Sequence, residues 1–252
     1  MIISHQHKFI FVHIHKTAGD SITHALLPHL AWNDIVIGPT PLGKLNLLYY
    51  RKKKIRKHST AVKIRDFIGE SAWNEYRVFS VVRNPVDRLS SLYYFHERAA
   101  KSHASWNVRK LYRLVPGIPA ANVSKWPSVQ AYMQTKSFSE FIRHPLLHGT
   151  PGMWRQSDIL GDADGKLIVD RVARYETLPA DFAELCAEIG LRNVNLGWKN
   201  ASGNRGADRS HISPGDIAYI EAHFEPDFRA FYPRLLSARA ANDTGAPAQA
   251  QS

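Results

Sequence analysis

The sequence predicts an α/β fold with a mainly parallel sheet flanked by helices. Two observations indicate it: short runs of β-branched and aromatic residues are spaced along the chain, and segments with helical periodicity follow them. Strands that alternate with helices usually lie parallel in one sheet with helices on both faces. The 252 residues are enough for one such domain with a substantial core.

The strands and helices are predicted in chain order. The β-runs lie at residues 8–14, 78–82 and 167–173. Helices are predicted at residues 18–30, 60–70, 138–143, 179–190 and 214–224, with another from about residue 86. The helix at 214 is clearly marked, because Ser213 can cap it, Pro214 fits its first turn and Asp216 is an acid at its third position. The lone Cys186 falls beside the apolar face of helix 179–190 and is expected in the core or at its edge.

We predict one domain over residues 1–236, followed by a disordered tail at 237–252 that has little apolar surface to bury. No run of about 18 apolar residues occurs, and a strand that starts near residue 8 leaves no room for a signal peptide. A cytoplasmic protein without an integral membrane segment is therefore expected, and peripheral attachment to a membrane stays open.

The chain is strongly basic, with a formal net charge of +11 and a pI near 9.8. Such a charge calls for a polyanionic partner: a nucleic acid, an anionic membrane, an acidic polysaccharide or a multiply charged nucleotide. Composition alone does not choose among these. The densest positive run is residues 51–57, and such a run is by default a solvated face.

The segment from Lys8 to Ser21 has the pattern of an anion site. A β-run leads into a turn with small residues and one lysine, Lys16, and a helix follows. Ala18 and Gly19 leave room for the backbone to approach a ligand. The first N–H groups of the helix have no intrahelical partner, and with the helix dipole they favour phosphate or sulfate. The segment is not a Walker loop, and a tight turn with a solvated lysine would explain the same residues.

A second segment, residues 76–95, repeats this pattern. Its β-run ends at Arg83, Pro85 fits the first turn of a helix, and Ser91 follows two turns later. Arginine can bind a phosphate through two N–H groups, and a hydroxyl adds a further donor. Ligands of open α/β sheets bind outside the carboxyl ends of the strands, where Lys16 and Arg83 both emerge. Two phosphate sites on one rim suggest a nucleotide phosphorylated at two places.

These two segments resemble motifs of sulfotransferases that use 3′-phosphoadenosine 5′-phosphosulfate (PAPS). HKTAGDS at residues 15–21 is similar to their 5′-phosphosulfate loop, and VVRNPVDRLSS at 81–91 is similar to their 3′-phosphate motif. The resemblance runs over roughly residues 8–233 and is closest to the carbohydrate branch with heparan sulfate 2-O- and chondroitin sulfotransferases. It implies a P-loop-like sulfotransferase fold, PAPS as donor with PAP as product, no metal, and a hydroxyl acceptor. That acceptor would be an anionic or neutral glycan, and no nucleic acid is expected as a partner.

The resemblance also implies roles for single residues. By it, Lys16 binds the donor and stabilises the leaving oxygen, while His58 takes the proton of the acceptor hydroxyl. Arg83 and Ser91 bind the 3′-phosphate. The other residues that it implies at the nucleotide are Thr17, Ala18, Gly19, Asp20, Ser21, Asn200 and Ser202. The basic run 51–57 lies just before His58, where its charge would suit an acidic glycan.

Asp20 departs from the family pattern, because relatives usually carry Thr or Ser at its position. A carboxylate that faces a sulfated phosphate would repel it. Two arrangements are therefore expected for this residue. Its side chain either faces the ligand and weakens binding, or caps the helix while turned away from the ligand.

Other functions fit parts of the sequence. A P-loop-like nucleotide kinase shares the strand-loop-helix arrangement, but the Walker lysine placement and an obvious acidic Mg²⁺ ligand are lacking. A non-catalytic module that binds nucleic acid or an anionic glycan would use the positive charge alone. A histidine-based metal enzyme is disfavoured, since no HExxH or comparable spacing occurs.

Overall fold

The computed structural model describes residues 1–38, 40–104, 126–149, 154–197 and 209–235. Within these residues the chain forms a sheet of five strands in the order β3-β1-β2-β4-β5. The strands are β1 Ile2–Ser4, β2 Phe9–Val12, β3 Ile35–Val36, β4 Arg77–Val82 and β5 Arg171–Arg174. The three predicted β-runs correspond to β2, β4 and β5.

The sheet is mixed, so the prediction of a mainly parallel sheet was wrong. β2 pairs with β4 and β4 pairs with β5 in parallel, but β1 runs antiparallel to both β2 and β3. Only residues 5–8 join β1 to β2, and so short a connection permits only antiparallel strands. The sequence did not indicate β1 and β3, because strands this short show no periodicity.

Helices pack on both faces of the sheet, and most of the predicted ones are present. Their bounds are α1 Gly19–Leu26, α2 Pro41–Arg51, α3 Ala61–Ile68, α4 Glu70–Glu75, α5 Pro85–Ala104, α6 Pro127–Met133, α7 Phe138–Ile142, α8 Pro145–His148, α9 Ser157–Leu160, α10 Leu178–Glu188, α11 Pro214–His223 and α12 Glu225–Phe231. The predicted helix 60–70 is divided into α3 and α4 at Gly69, whose φ of 86° does not continue a helix. None of the helices in the described ranges is both long and apolar enough to cross a membrane.

The central strands divide the apolar core into two layers. Ile10 and Val12 of β2 belong to the cluster on one face, whereas Phe9 and Phe11 belong to the cluster on the other. Cys186 is buried in the second cluster, which confirms its predicted place in the core. The predicted start of α11 is also confirmed, with a reciprocal capping box between Ser213 and Asp216.

The parallel pair at the centre of the sheet sets the position of the candidate site. Val12 of β2 lies opposite Ser80 of β4, so both strands end at the same edge. The loop with Lys16 follows β2 at this edge, and Arg83 follows β4 there. The fold therefore brings the two predicted anion sites to one rim.

Candidate active site

The loop between β2 and α1 is held in an uncommon backbone conformation. Lys16 and Ala18 have φ values of 68° and 64°, in the left-handed region that residues with a side chain rarely adopt. Helix α1 begins at Gly19, and no side chain caps its first turn within the described residues. The first N–H groups of a helix lack intrahelical partners, so the start of α1 is suited to an anion.

Position 19 has no space for a side chain, because a buried histidine lies against it. A Cβ atom at this position would lie 2.0 Å from Nε2 of His13. The His13 ring is 3% exposed and stacks on Phe11 with 5.5 Å between the ring centroids. Any side chain at Gly19 would therefore displace the His13 ring or the loop.

Lys16 is partly buried among other positive groups. Its Nζ lies 4.4 Å from the centroid of the Phe95 ring on α5. The pKa of Lys16 is lowered to about 8, mainly by burial and further by the positive charges of Arg98 and Arg83, while Asp20 acts in the opposite direction. Cations that repel one another in a partly buried rim form a site that an anion would stabilise.

Arg83 is 8% exposed at the end of β4. Its guanidinium carbon lies 4.1 Å from the centroid of the Tyr175 ring. Its buried Nε has no hydrogen-bond partner among the described residues. A buried donor without a partner is costly, so this group is suited to an anionic ligand. The other residue predicted for the 3′-phosphate, Ser91, is buried on α5 beyond Arg83.

Gln156 fixes the backbone of Arg83, a role that the sequence did not reveal. The N–H of Arg83 donates to Oε1 of Gln156 at 2.9 Å, and Nε2 of Gln156 donates to the carbonyl oxygen of Arg83 at 2.8 Å. The backbone N–H of Gln156 in turn donates to Asp227 at 2.9 Å. Neighbouring residues gave no motif for this contact, because it joins positions more than 70 residues apart.

Asp20 does not cap helix α1, and its side chain forms an ion pair instead. Its carboxylate is 2.6 Å from Nζ of Lys57, and each of the two side chains is roughly three-tenths exposed. The ion pair compensates the negative charge that would oppose an anion, which explains how an aspartate is tolerated in the loop. It also ties the segment before His58 to the start of α1.

His58 lies beside the loop with its ring oriented by the backbone. Its Nδ1 is 2.8 Å from the carbonyl oxygen of His13. Because a carbonyl oxygen only accepts, Nδ1 carries the proton and the neutral ring has its lone pair on Nε2. The His15 ring stacks on it with centroids 3.4 Å apart. Burial, with the charges of His15 and Lys57, holds the pKa of His58 well below its usual value, so the ring is neutral at pH 7.

Arg88 and Arg155 have structural contacts. Arg88 is fully buried and donates to the carbonyl oxygen of Trp154, and its pKa is lowered to about 10 by burial. Nε of Arg155 donates to the carbonyl oxygen of His223 at 2.7 Å. Both arginines therefore hold neighbouring segments of the chain together.

Part of the prediction falls outside the residues that the structure describes. Asn200 and Ser202 lie in the gap between residues 197 and 209, and the predicted tail at 237–252 follows the last described residue. Across the described ranges, no group of three or more His, Cys, Asp or Glu side chains could hold a metal ion.

The model of the sulfotransferase family matches residues 1–233. This range includes both anion segments and His58. No curated protein and no solved structure matches the chain. The family match favours neither the kinase nor the non-catalytic module.

Proposed function

The chain belongs to the sulfotransferase family, and we propose that it transfers a sulfuryl group from PAPS to a hydroxyl group of a carbohydrate. The observation that carries this proposal is the pair of cationic sites on one rim. Lys16 follows β2 and Arg83 follows β4, and neither positive charge is balanced by an ion pair in the described residues. A cytoplasmic location remains the expectation from the sequence.

The residues on the rim are suited to a nucleotide with phosphate groups at both ends. The loop from Thr17 to Ser21, with Lys16, would hold the 5′-phosphosulfate through N–H groups and one ammonium. Arg83 would hold the 3′-phosphate, and its buried Nε, which has no partner among the described residues, supports this assignment. Ser91, Asn200 and Ser202 are proposed as further contacts from the resemblance.

Bound PAPS would supply an activated sulfuryl group attached to a phosphate leaving group. Lys16 is suited to stabilise the negative charge that develops on the leaving oxygen. Its partial burial lowers the local dielectric and strengthens that interaction, and its flexible side chain can follow the oxygen. The fixed loop would hold the phosphate in place during the transfer.

His58 is suited to accept the proton of the acceptor hydroxyl. The carbonyl oxygen of His13 fixes the proton on Nδ1, and this leaves Nε2 as the basic atom. The lowered pKa keeps the ring neutral at pH 7, as a base must be. Lys57 and Asp20 would keep this segment against the loop.

A transfer assay tests the proposal. Sulfuryl transfer from radiolabelled PAPS would be measured across a panel of glycans, lipids and small alcohols, with Lys16→Met, His58→Ala and the exposed control Lys166→Met. We expect transfer to at least one glycan and an unchanged rate in the control. The rate should fall by roughly 100- to 10,000-fold in His58→Ala because a general base is lost. Unchanged transfer in Lys16→Met would exclude the proposed mechanism.

A further inference from the structure

Helix α2 presents an apolar face to solvent. Its outer side chains are Leu42, Leu45, Leu48 and Tyr49, with exposed fractions of 48%, 64%, 54% and 61%. Single exposed apolar residues are ordinary on protein surfaces, but these four lie together on about two and a half turns of one helix. An exposed apolar surface of this kind is typical of a contact with a membrane, a partner protein or a ligand.

The opposite face of α2 fixes the helix in this orientation. A Cβ atom at Gly43 would lie 2.6 Å from the backbone nitrogen of Gly38, so the helix backbone packs directly on the preceding chain. Nδ2 of Asn46 donates to the carbonyl oxygen of Val36 in β3 at 3.0 Å. Leu47 and Tyr50 pack against the core. The exposed leucines therefore cannot be buried by rotation of the helix without the loss of these contacts.

Positive charge surrounds the apolar face. Lys44 on α2 and Lys52, Lys53 and Lys54 just after it are exposed. Residues 35–65 contain nine Lys and Arg residues and no Asp or Glu. Trp32, which precedes β3, the strand that α2 packs on, is 97% exposed. Exposed tryptophans and helices with one apolar face and nearby basic residues are both typical of proteins that bind at a membrane interface.

We propose that this part of the chain docks on an anionic membrane surface. The α2 surface is defined by Leu42, Leu45, Leu48, Tyr49, Lys52, Lys53 and Lys54. In this arrangement α2 lies in the plane of the interface, with its leucines among the acyl chains and its lysines at the lipid phosphates. The contact is reversible and leaves the rest of the domain in water.

The composition of the α2 surface disfavours other binding partners. A second copy of the chain in a two-fold contact would place identical lysine clusters near one another, and residues 35–65 contain no acidic residue to pair with them. A nucleic acid or an acidic glycan would use the lysines but would leave the four apolar side chains without a contact. An anionic lipid surface would contact both the apolar side chains and the lysines of the α2 surface.

Vesicle flotation with the full chain tests this proposal. The probes are vesicles of phosphatidylcholine alone and vesicles that also contain phosphatidylglycerol. The charge variant is Lys52→Gln/Lys53→Gln/Lys54→Gln, and its control is Lys101→Gln/Lys136→Gln/Lys166→Gln, three exposed lysines elsewhere with the same change in net charge. The apolar variant is Leu45→Ser/Leu48→Ser, and its control is Met133→Ser/Leu235→Ser, two exposed apolar residues elsewhere. Thermal unfolding shows whether each variant folds.

We expect the chain and both controls to float with the anionic vesicles and not with the neutral ones. The charge variant should lose roughly a hundredfold in partition coefficient, since each basic residue near an anionic surface contributes about a fivefold factor. The apolar variant should lose binding as well. Absence of flotation with anionic vesicles, equal losses in the controls, or full binding of the apolar variant would overturn the proposal. A dimer that the apolar variant abolishes, without lipid binding, would assign the surface to a second copy.

Discussion

The surroundings of Lys16 disfavour the protonated form of its side chain. Burial and the charges of Arg98 and Arg83 together lower its pKa to about 8, although Asp20 acts in the opposite direction. A lysine with a lowered pKa destabilises the folded state while it is protonated, because the unfolded chain binds that proton more strongly. Such a cost is typical of a binding site, in which the ligand supplies the missing counter-charge.

Binding of PAP should therefore depend on pH through Lys16. The lysine is charged below its pKa of about 8, so affinity should be full at pH 7 and should fall as pH rises through 8, by up to about tenfold per pH unit. The phosphate groups are already ionised in this range, since their second pKa is about 6. Calorimetric titration of PAP between pH 7 and pH 9 would measure the effect.

The variant Lys16→Met provides the control. It should bind PAP weakly with little dependence on pH, and without ligand it should unfold at a higher temperature than the wild type at pH 7, because a buried charge has been removed. A wild-type affinity that stays constant up to pH 9 would contradict the role given to the lysine.

At the scale of elements, three segments meet around α1. The loop after β2 supplies Lys16, the start of α1 supplies Asp20, and the segment before α3 supplies Lys57 and His58. The 2.6 Å ion pair between Asp20 and Lys57 joins the second and third of these. The ion pair fixes the position of Lys57, and because His58 is the next residue, it also helps to position the His58 ring.

A double-mutant cycle tests the coupling between these elements. Asp20→Asn and Lys57→Met should each reduce the rate of transfer, and the double variant should lose little more than the larger single effect. The coupling free energy for unfolding should be about 0.5–3 kcal/mol, as for residues in direct contact. The transfer rate and the thermal unfolding of all four proteins would be measured together. Strictly additive losses would mean that the pair does not position His58.

The hydrogen bonds between Gln156, just before α9, and Arg83, just after β4, can be tested separately. Gln156→Ala removes both hydrogen bonds to the backbone of Arg83 and leaves buried polar groups without partners. We expect a loss of roughly 1–3 kcal/mol in the free energy of unfolding and weaker binding of PAP. The adjacent Arg155→Ala removes a hydrogen bond to His223 instead, and it should leave the affinity for PAP unchanged. Equal affinities for PAP in the two variants would show that Gln156 does not position Arg83 for binding.

At the scale of the whole molecule, the parallel pairing of β2 and β4 brings Lys16 and Arg83 to one rim, although they are far apart in the sequence. This much could be predicted, because both strands are apolar runs followed by a basic residue and a helix start. The pair Asp20–Lys57 and the contact Gln156–Arg83 could not, since both depend on how distant segments pack. β1 and β3 were too short to be recognised, and they are the strands that make the sheet mixed.

Helix α2 was not predicted from the sequence, although several of its side chains are apolar and exposed. The expectation from the sequence was a basic run at 51–57 just before His58, where its charge would suit an acidic glycan, with no helix before it. The structure divides this run, because Lys57 pairs with Asp20 while Lys52, Lys53 and Lys54 are exposed after α2. The run is therefore not one uniform solvated face, because Lys57 belongs to the contact with α1 and the three preceding lysines do not.

We propose that Lys16 and Arg83 bind the two ends of one nucleotide. The most direct test compares PAP with AMP, which lacks the 3′-phosphate, by calorimetric titration of the wild type, Arg83→Gln and the exposed control Arg229→Gln. We predict that the wild type and the control prefer PAP, and that Arg83→Gln reduces this preference by roughly 10- to 100-fold because a charged hydrogen bond is lost. An undiminished preference for PAP in Arg83→Gln would contradict the claim.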